Sequence, residues 1–459
     1  MDDQAVEIIK GLRRELRQLR QQVAQLEAEN QRLRTDNQQL REQLDEARRI
    51  AARPTAPFRR PEPKKIPPEK QKRPGRKVGH PGVCRAVPEQ IDEHITVPLD
   101  RCPHCDGPVS DCQAVEQIIE EIVPARPRVV KIITYCGTCK NCGEVRSRHP
   151  LQTSLGQGAA KVQLGPRALA MAANLNKVHG LTMRKTCAVL EDLTGLRLTP
   201  GGLSQALSRV AERVRGEYDK LIDSIRASPA AFVDETSWWV GGPGWWLWVF
   251  TSPSTTVYHV DQSRGSQVVE EVLGDDFAGM MVSDCLSSYD PAPYRKHKCI
   301  AHHLRAIAEA EKLPGTPDSS YLRQWRLLFK AVIGLYGSRE FMSREEFADK
   351  RRRMEAWVDE LLGQPRGQTG DVKIQNRLRK QRSHLLGCLY EPAAEPTNNR
   401  AERSLRPAVI ARKLSCGNKT ERGRDCWQIL ASLGATCRQR AQDFVKFLAS
   451  RLPLPAQPG

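Results

Sequence analysis

Residues 230 to 284 carry the pattern that most narrows the folds open to this chain. Three β-rich runs, "AAFVDETSWWV", "GWWLWVFTS" and "TTVYHVD", succeed one another with turn residues between them. Such runs predict an antiparallel meander. "SRGSQVVEEVLG" then reads as a helix and "FAGMMVSD" as a further strand. A β-β-β-α-β order places the first strand beside the fourth. Each of those two strands ends an apolar run on an aspartate, Asp234 after "AAFV" and Asp284 after "GMMVS". The two carboxylates are therefore expected side by side.

This element order is that of the ribonuclease H fold. Adjacent carboxylates repel, and cations, usually Mg²⁺, offset the repulsion. Two such ions can clamp the attacking and leaving oxygens of a phosphodiester. A third carboxylate normally completes the cage, and "EPTNNRAERSLRPAVIARK" offers Glu402 among Arg400, Arg403, Arg406, Arg412 and Lys413. Asn398, Asn399, Arg403 and Arg406 are candidates to hold DNA phosphates around it. The competing role for Glu402 is a surface ion pair with Arg406, worth a few tenths of a kcal/mol; Glu235 or an acid of the helical insertion would then be the third ligand. "KHKCIA" reads as a fifth strand that opens onto His302, placed to orient a phosphate or a water, with His303 the weaker choice. From "YLRQWRLLFKAVIGLYG" onward the chain reads as a helical insertion over about 310–390, within a catalytic domain spanning 228–450.

The N-terminal region has a different texture. Over residues 9 to 44, Ile9, Leu16, Val23, Asn30, Asn37 and Leu44 occupy heptad position a, and Leu12, Leu19, Leu26, Leu33 and Leu40 occupy d. Leu at d with Asn at a predicts a parallel homodimeric coiled coil over 1–50. Residues 53 to 85 hold eight prolines and eleven Lys/Arg against two acids, +9 of the chain's net charge of +18. A segment of that composition cannot build a core. We read 51–90 as a basic linker in which Arg73, Arg76 and Lys77 meet DNA, either as a generic tether or as a minor-groove hook. The charge excess as a whole points to a polyanionic partner. No apolar run approaches the roughly 20 residues that span a bilayer, and "MDDQAVEII" lacks signal-peptide character, so a soluble intracellular protein is expected.

Six of the 14 cysteines lie between Cys102 and Cys142. That clustering suggests a metal site more than disulfides. "CPHC" supplies Cys102 and Cys105; "CGTCKNCG" offers either Cys136/Cys139 or Cys139/Cys142, and Gly143 favours the second pair. One structural Zn²⁺ held by Cys102, Cys105, Cys139 and Cys142 is expected within 91–150, with "PRVVKIITYC" supplying ribbon strands; redox cysteines are the rival reading. Over 160–225 the chain reads as helices. Thr199 and Pro200 open one of them, and the pair around Gly195 suggests a helix-turn-helix. The expected architecture is thus multidomain: coiled coil, zinc-knuckle domain, helical DNA-binding domain, and an α/β ribonuclease H-like core.

"DET" at Asp234–Thr236, "VSD" followed by Tyr289, "CIAHHLR" at Cys299–Arg305 and "PTNNRAERSLRPAVIARK" at Pro396–Lys413 resemble the transposases of insertion sequence sixty-six. The likeness extends to the heptads, the Gly-Arg-Lys linker, the knuckles and the tail "SLGATCRQRAQDFVKFL". It departs from the family at Ile300, where an aromatic residue is frequent, and at the extra Cys136. The resemblance implies a DDE triad of Asp234, Asp284 and Glu402 using two Mg²⁺ ions to cut element ends and join them to target DNA. It also implies double-stranded DNA and small accessory proteins as partners, in a bacterial cytoplasm at the nucleoid. A non-enzymatic dimeric regulator would need the linker and knuckles but not three separated carboxylates. A nuclease or resolvase on the same fold would cut without joining.

Overall fold

A computed structural model describes residues 18, 21–33, 35–37, 86–154, 162–316 and 319–454. The chain divides into two compact units, Met1–Ala86 and Val87–Gly459. In the first, residues 21–33 and 35–37 are helical. Val23, Leu26 and Leu33 stand half-exposed along that helix, and Asn37 Nδ2 donates back to the Leu33 carbonyl at 3.1 Å. The remaining heptad positions at Ile9, Leu12, Leu16, Leu19, Leu40 and Leu44, and the linker residues Arg73, Arg76 and Lys77, lie outside the described residues.

The second unit opens with the cysteine region. The Cys102 N–H donates to the Gly107 carbonyl at 2.9 Å, closing a tight turn around "CPHC". Strands β1 (Cys136–Cys139) and β2 (Gly143–Arg146) form an antiparallel hairpin with Cys139 opposite Gly143. Gly143 has φ +77°, a conformation glycine takes at little cost. The expected ribbon strands in "PRVVKIITYC" are not formed: strand structure starts only at Cys136, and Val129 is 92% exposed. With no apolar partner for Val129, that run has nothing to bury.

Next come four helices: α1 (Pro166–Ala173), α2 (Met183–Thr194), α3 (Pro200–Arg213) and α4 (Arg215–Arg226). Thr199 caps α3 by accepting from the Gly202 N–H at 3.1 Å, with Pro200 in the first turn. These helices share one hydrophobic core with the larger sheet: Leu203, Leu207 and Val210 cluster with Trp248, Phe250 and Val257.

The sheet has five strands in the order β5-β4-β3-β6-β7: β3 (Ala230–Trp238), β4 (Trp245–Thr251), β5 (Thr256–Asp261), β6 (Met280–Ser283) and β7 (Arg295–Lys298). β3, β4 and β5 form the expected meander. β6 returns through α5 (Ser266–Leu273) to lie parallel beside β3, pairing Phe232 with Val282. Strand alternation sorts the side chains. Ala230, Phe232, Trp238, Met280 and Val282 pack in one cluster with α10 (Asn399–Ser415) and α11 (Glu421–Gln439), while Ala231, Val233, Trp248 and Met281 pack against α5. The outer edge of β5 is covered by α11 in an unusual manner. The N–H groups of Thr256, Tyr258 and Val260 donate to Thr436 Oγ1, Ser432 Oγ and Gln428 Oε1 at 3.0, 2.8 and 3.0 Å. Side chains spaced four apart on a helix thus take the place of a neighbouring strand.

Between β7 and α10, the helices α6 (Ile300–Ala310), α7 (Ser320–Ser338), α8 (Arg344–Gly363) and α9 (Thr369–Lys380) pack around Trp325, Leu328 and Phe329 in a core of their own. The predicted fifth strand is present as β7, and helices fill most of the span from it to α10. α12 (Phe444–Arg451) ends the described chain. Among the described residues, no helix is long and apolar enough to cross a membrane.

Candidate active site

β3 and β6 run parallel and in register, Ala230 with Met280 and Phe232 with Val282. Two steps further in that register come Asp234, at the middle of β3, and Asp284, immediately after the carboxyl end of β6. Both keep the parity of Phe232 and Val282, so both aspartates belong to the face covered by α10. That end of a parallel sheet is where α/β folds commonly build their sites.

α10 brings the third carboxylate. Its Ala401, Leu405 and Ala408 are buried against the sheet, and Glu402 lies in its first turn, where the helix dipole favours an anion. Three contacts fix that turn. Asn398 Nδ2 donates to the Val233 carbonyl at 2.9 Å, one residue before Asp234. The Asn398 N–H reaches Cys299 Sγ at 3.1 Å, and the Ile300 N–H donates to the Pro396 carbonyl at 3.0 Å. Further along, Arg412 Nη1 donates to Thr236 Oγ1 at 3.1 Å. The helix is therefore tied to β3 on both sides of Asp234.

The electrostatics register this convergence. Burial pushes the Asp234 carboxyl up to about 7, reinforced by the charges of Glu235 and Asp284 and, more weakly, Glu402. Asp284 Oδ1 accepts the Leu286 N–H at 2.9 Å. Glu402 pairs with Arg305 of α6 at 3.3 Å; among the described residues its ion pair is with this arginine, not with Arg406 as the competing reading had it. His302, on the same turn of α6, faces the site as well. Burial lowers its pKa, Arg305 lowers it further, and Asp284 and Glu402 oppose the shift. Its Nδ1 is buried and unpartnered among the described residues. His303 turns away, stacking on Phe329 at 5.4 Å in the insertion core.

Two expectations need correction. Asn398 was expected to hold DNA, yet it is wholly buried and bonded to β3, so it positions α10 instead. Glu235, the reserve third ligand, has the opposite strand parity to Asp234. It is 2% exposed and bound by Arg264 at 2.8 Å, with Tyr289 donating its hydroxyl to the other carboxylate oxygen. Asn399, Arg403 and Arg406 are exposed on α10, as a DNA contact requires. Sequence reasoning missed Lys298, which is fully buried and pairs with Asp290 at 3.0 Å beside Ser283. It closes the strand run "RKHK" of β7.

The cysteine-rich turns are a separate feature of the chain. N–H groups of His104 and Cys105, with the Cys105 thiol, hold Cys102 below its usual pKa. Those of Asn141 and Cys142, with the Cys142 thiol, do the same for Cys139. This pairs Cys139 with Cys142 across the hairpin turn and leaves Cys136 on the strand. Among the described residues the four sulfurs are not gathered; the cluster whose ligand atoms all lie within 4.8 Å of one another is His259, Asp261 and Glu271.

Comparison with known proteins agrees with this architecture. The uncharacterized protein y4qI of Sinorhizobium fredii is 24% identical over 329 residues, covering 63% of this chain and 59% of that protein. A second uncharacterized protein of the same organism, y4jD, is 23% identical over 389 residues, covering 76% of this chain and 74% of its own length. The chain thus spans less than two thirds of the first relative. The transposase IS66 family profile matches residues 161–425. That segment takes in the helices before the sheet, all five strands of the larger sheet, the insertion and α10. The chain belongs to the transposase IS66 family.

Proposed function

We propose that this protein is a DNA transposase that cuts the ends of its element and transfers the strands to target DNA. One observation carries the reading: Asp234, Asp284 and Glu402, separated widely in sequence, lie near enough for the charges of Asp284 and Glu402 to act on Asp234, where β3 runs beside the carboxyl end of β6. A ribonuclease H-like core with a DDE triad accounts for that arrangement, and a DNA-binding regulator has no use for it. The donor set is all oxygen, and burial together with the neighbouring acid charges raises Asp234 to about 7, which fits hard divalent cations such as Mg²⁺. Asp234, Asp284 and Glu402 would hold the ions. Bound ions would activate the attacking oxygen and neutralise the leaving one.

The protein's own groups do the remaining work. Arg403 and Arg406 would hold phosphates along the exposed side of α10, with Asn399 at its start. Arg305 is paired with Glu402 and would exchange that partner for a DNA phosphate, freeing the carboxylate. His302, its pKa lowered by burial, is neutral at pH 7 and would orient the scissile phosphate through a hydrogen bond. The coiled coil would pair two chains, the basic linker would track DNA, and the knuckles of Cys102/Cys105 and Cys139/Cys142 would close on one Zn²⁺ if drawn together.

The test is an incubation with labelled element ends, target DNA and Mg²⁺. Joined strand-transfer products are expected. Cleavage without joining would identify a nuclease or resolvase, and binding without cleavage a regulator.

A further inference from the structure

On the opposite face of the sheet from the triad, we propose a second metal site, formed by His259, Asp261 and Glu271 and suited to a borderline transition-metal ion such as Zn²⁺. His259 and Asp261 are two apart on β5 and so project from the same face. His259 pairs across the ladder with Trp248, whose side chain packs in one cluster with Val268, Val269 and Val272 of α5. Glu271 comes from the last turn of that same helix. The three side chains each bring a ligand atom within 4.8 Å of the others.

Two further features call for a cation there. Nε2 of His259 is buried without a hydrogen-bond partner among the described residues, so a nitrogen lone pair or N–H is left uncompensated. Glu271 sits at a helix C-terminus, where the dipole disfavours an anion, with Asp261 adding a second negative charge close by. The nearby arginines are engaged elsewhere. Arg424 pairs with Asp425 at 2.9 Å, Arg264 pairs with Glu235, and Arg226 binds the main-chain carbonyl of Glu271 rather than its carboxylate.

One imidazole and two carboxylates suit zinc, with a remaining position for water. The ion would close the turn between β5 and α5, and that turn carries Arg264, which holds Glu235 next to Asp234. Its role is to brace, from the opposite face, the sheet whose strand β3 carries Asp234, independent of whether the triad cuts DNA.

The test compares untagged full-length protein with His259→Gln, Glu271→Gln and the double variant, after zinc loading and removal of excess, by metal analysis and native mass spectrometry. Each single variant should lose one zinc equivalent per chain, and the double variant no more than one. Glu271 is exposed, so its variant should keep the wild-type circular dichroism. Cobalt-loaded wild type should show a visible d–d band component that is lost in Glu271→Gln, while any thiolate charge transfer from the cysteines is unchanged. Unchanged zinc content in a folded Glu271→Gln would overturn the site. So would a loss in the double variant of two equivalents.

Discussion

Asp234 shows how one side chain records the whole site. Its folded pKa of about 7 stands above the ordinary carboxylate value because burial and three neighbouring acids oppose its charge. The native state therefore holds its proton more tightly than the unfolded chain. The resulting stability is complete below about pH 4 and is lost as pH rises through 7. In metal-free protein, Asp234→Asn should raise the melting temperature at pH 8 and leave it unchanged near pH 4. The stabilisation is at most about 4 kcal/mol. An equal effect at both pH values would mean that the carboxyl is not perturbed. Asn398→Ala removes the donor to the Val233 carbonyl and leaves a buried acceptor unpaired, at a cost of about 1–3 kcal/mol. Because it loosens α10 beside Asp234, it should reduce cleavage more than DNA affinity; a gel shift beside a cleavage assay separates the two. The acids themselves were legible in the sequence, since each aspartate ends an apolar strand run. The role of Asn398 was not, because a polar residue in a basic segment gives no sign that it will be buried 165 positions away against Val233.

At the scale of elements, the five-stranded order was readable from alternation and turn residues, and the parallel return of β6 followed from the intervening helix. The covered edge of β5 was not read, although its signal existed. Gln428, Ser432 and Thr436 recur every four residues along "WQILASLGATC", an otherwise apolar helix. Polar groups at that spacing form one stripe, and a stripe inside a core needs partners. Ser432→Ala would leave the Tyr258 N–H unpaired. It should cost about 1–3 kcal/mol in urea unfolding, whereas substitution of exposed Arg438 should cost little. The failure of "PRVVKIITYC" to form strands has the complementary cause. Alternation predicts a half-buried strand only where another layer covers its apolar side, and Val129 and Ile133 remain exposed.

For the whole molecule, charge and architecture make separable claims. If Arg73, Arg76 and Lys77 meet phosphates, neutralising all three should weaken DNA binding broadly and flatten the salt dependence by about three units. A loss confined to one DNA sequence would instead indicate base readout. Deleting residues 1–50 should lower the mass in light scattering if the heptads pair two chains, and an unchanged oligomer would place the contact elsewhere. The proposed chemistry is concentrated in three carboxylates, Asp234, Asp284 and Glu402, on one side of the sheet. Its most direct test is Glu402→Gln, measured for element-end binding without divalent metal and for end cleavage with Mg²⁺. Binding should be retained or slightly tighter, since one negative charge beside phosphate is gone, while cleavage should fall by several orders of magnitude. Cleavage at near wild-type rate would contradict the account and reduce Glu402 to the ion-pair partner of Arg305.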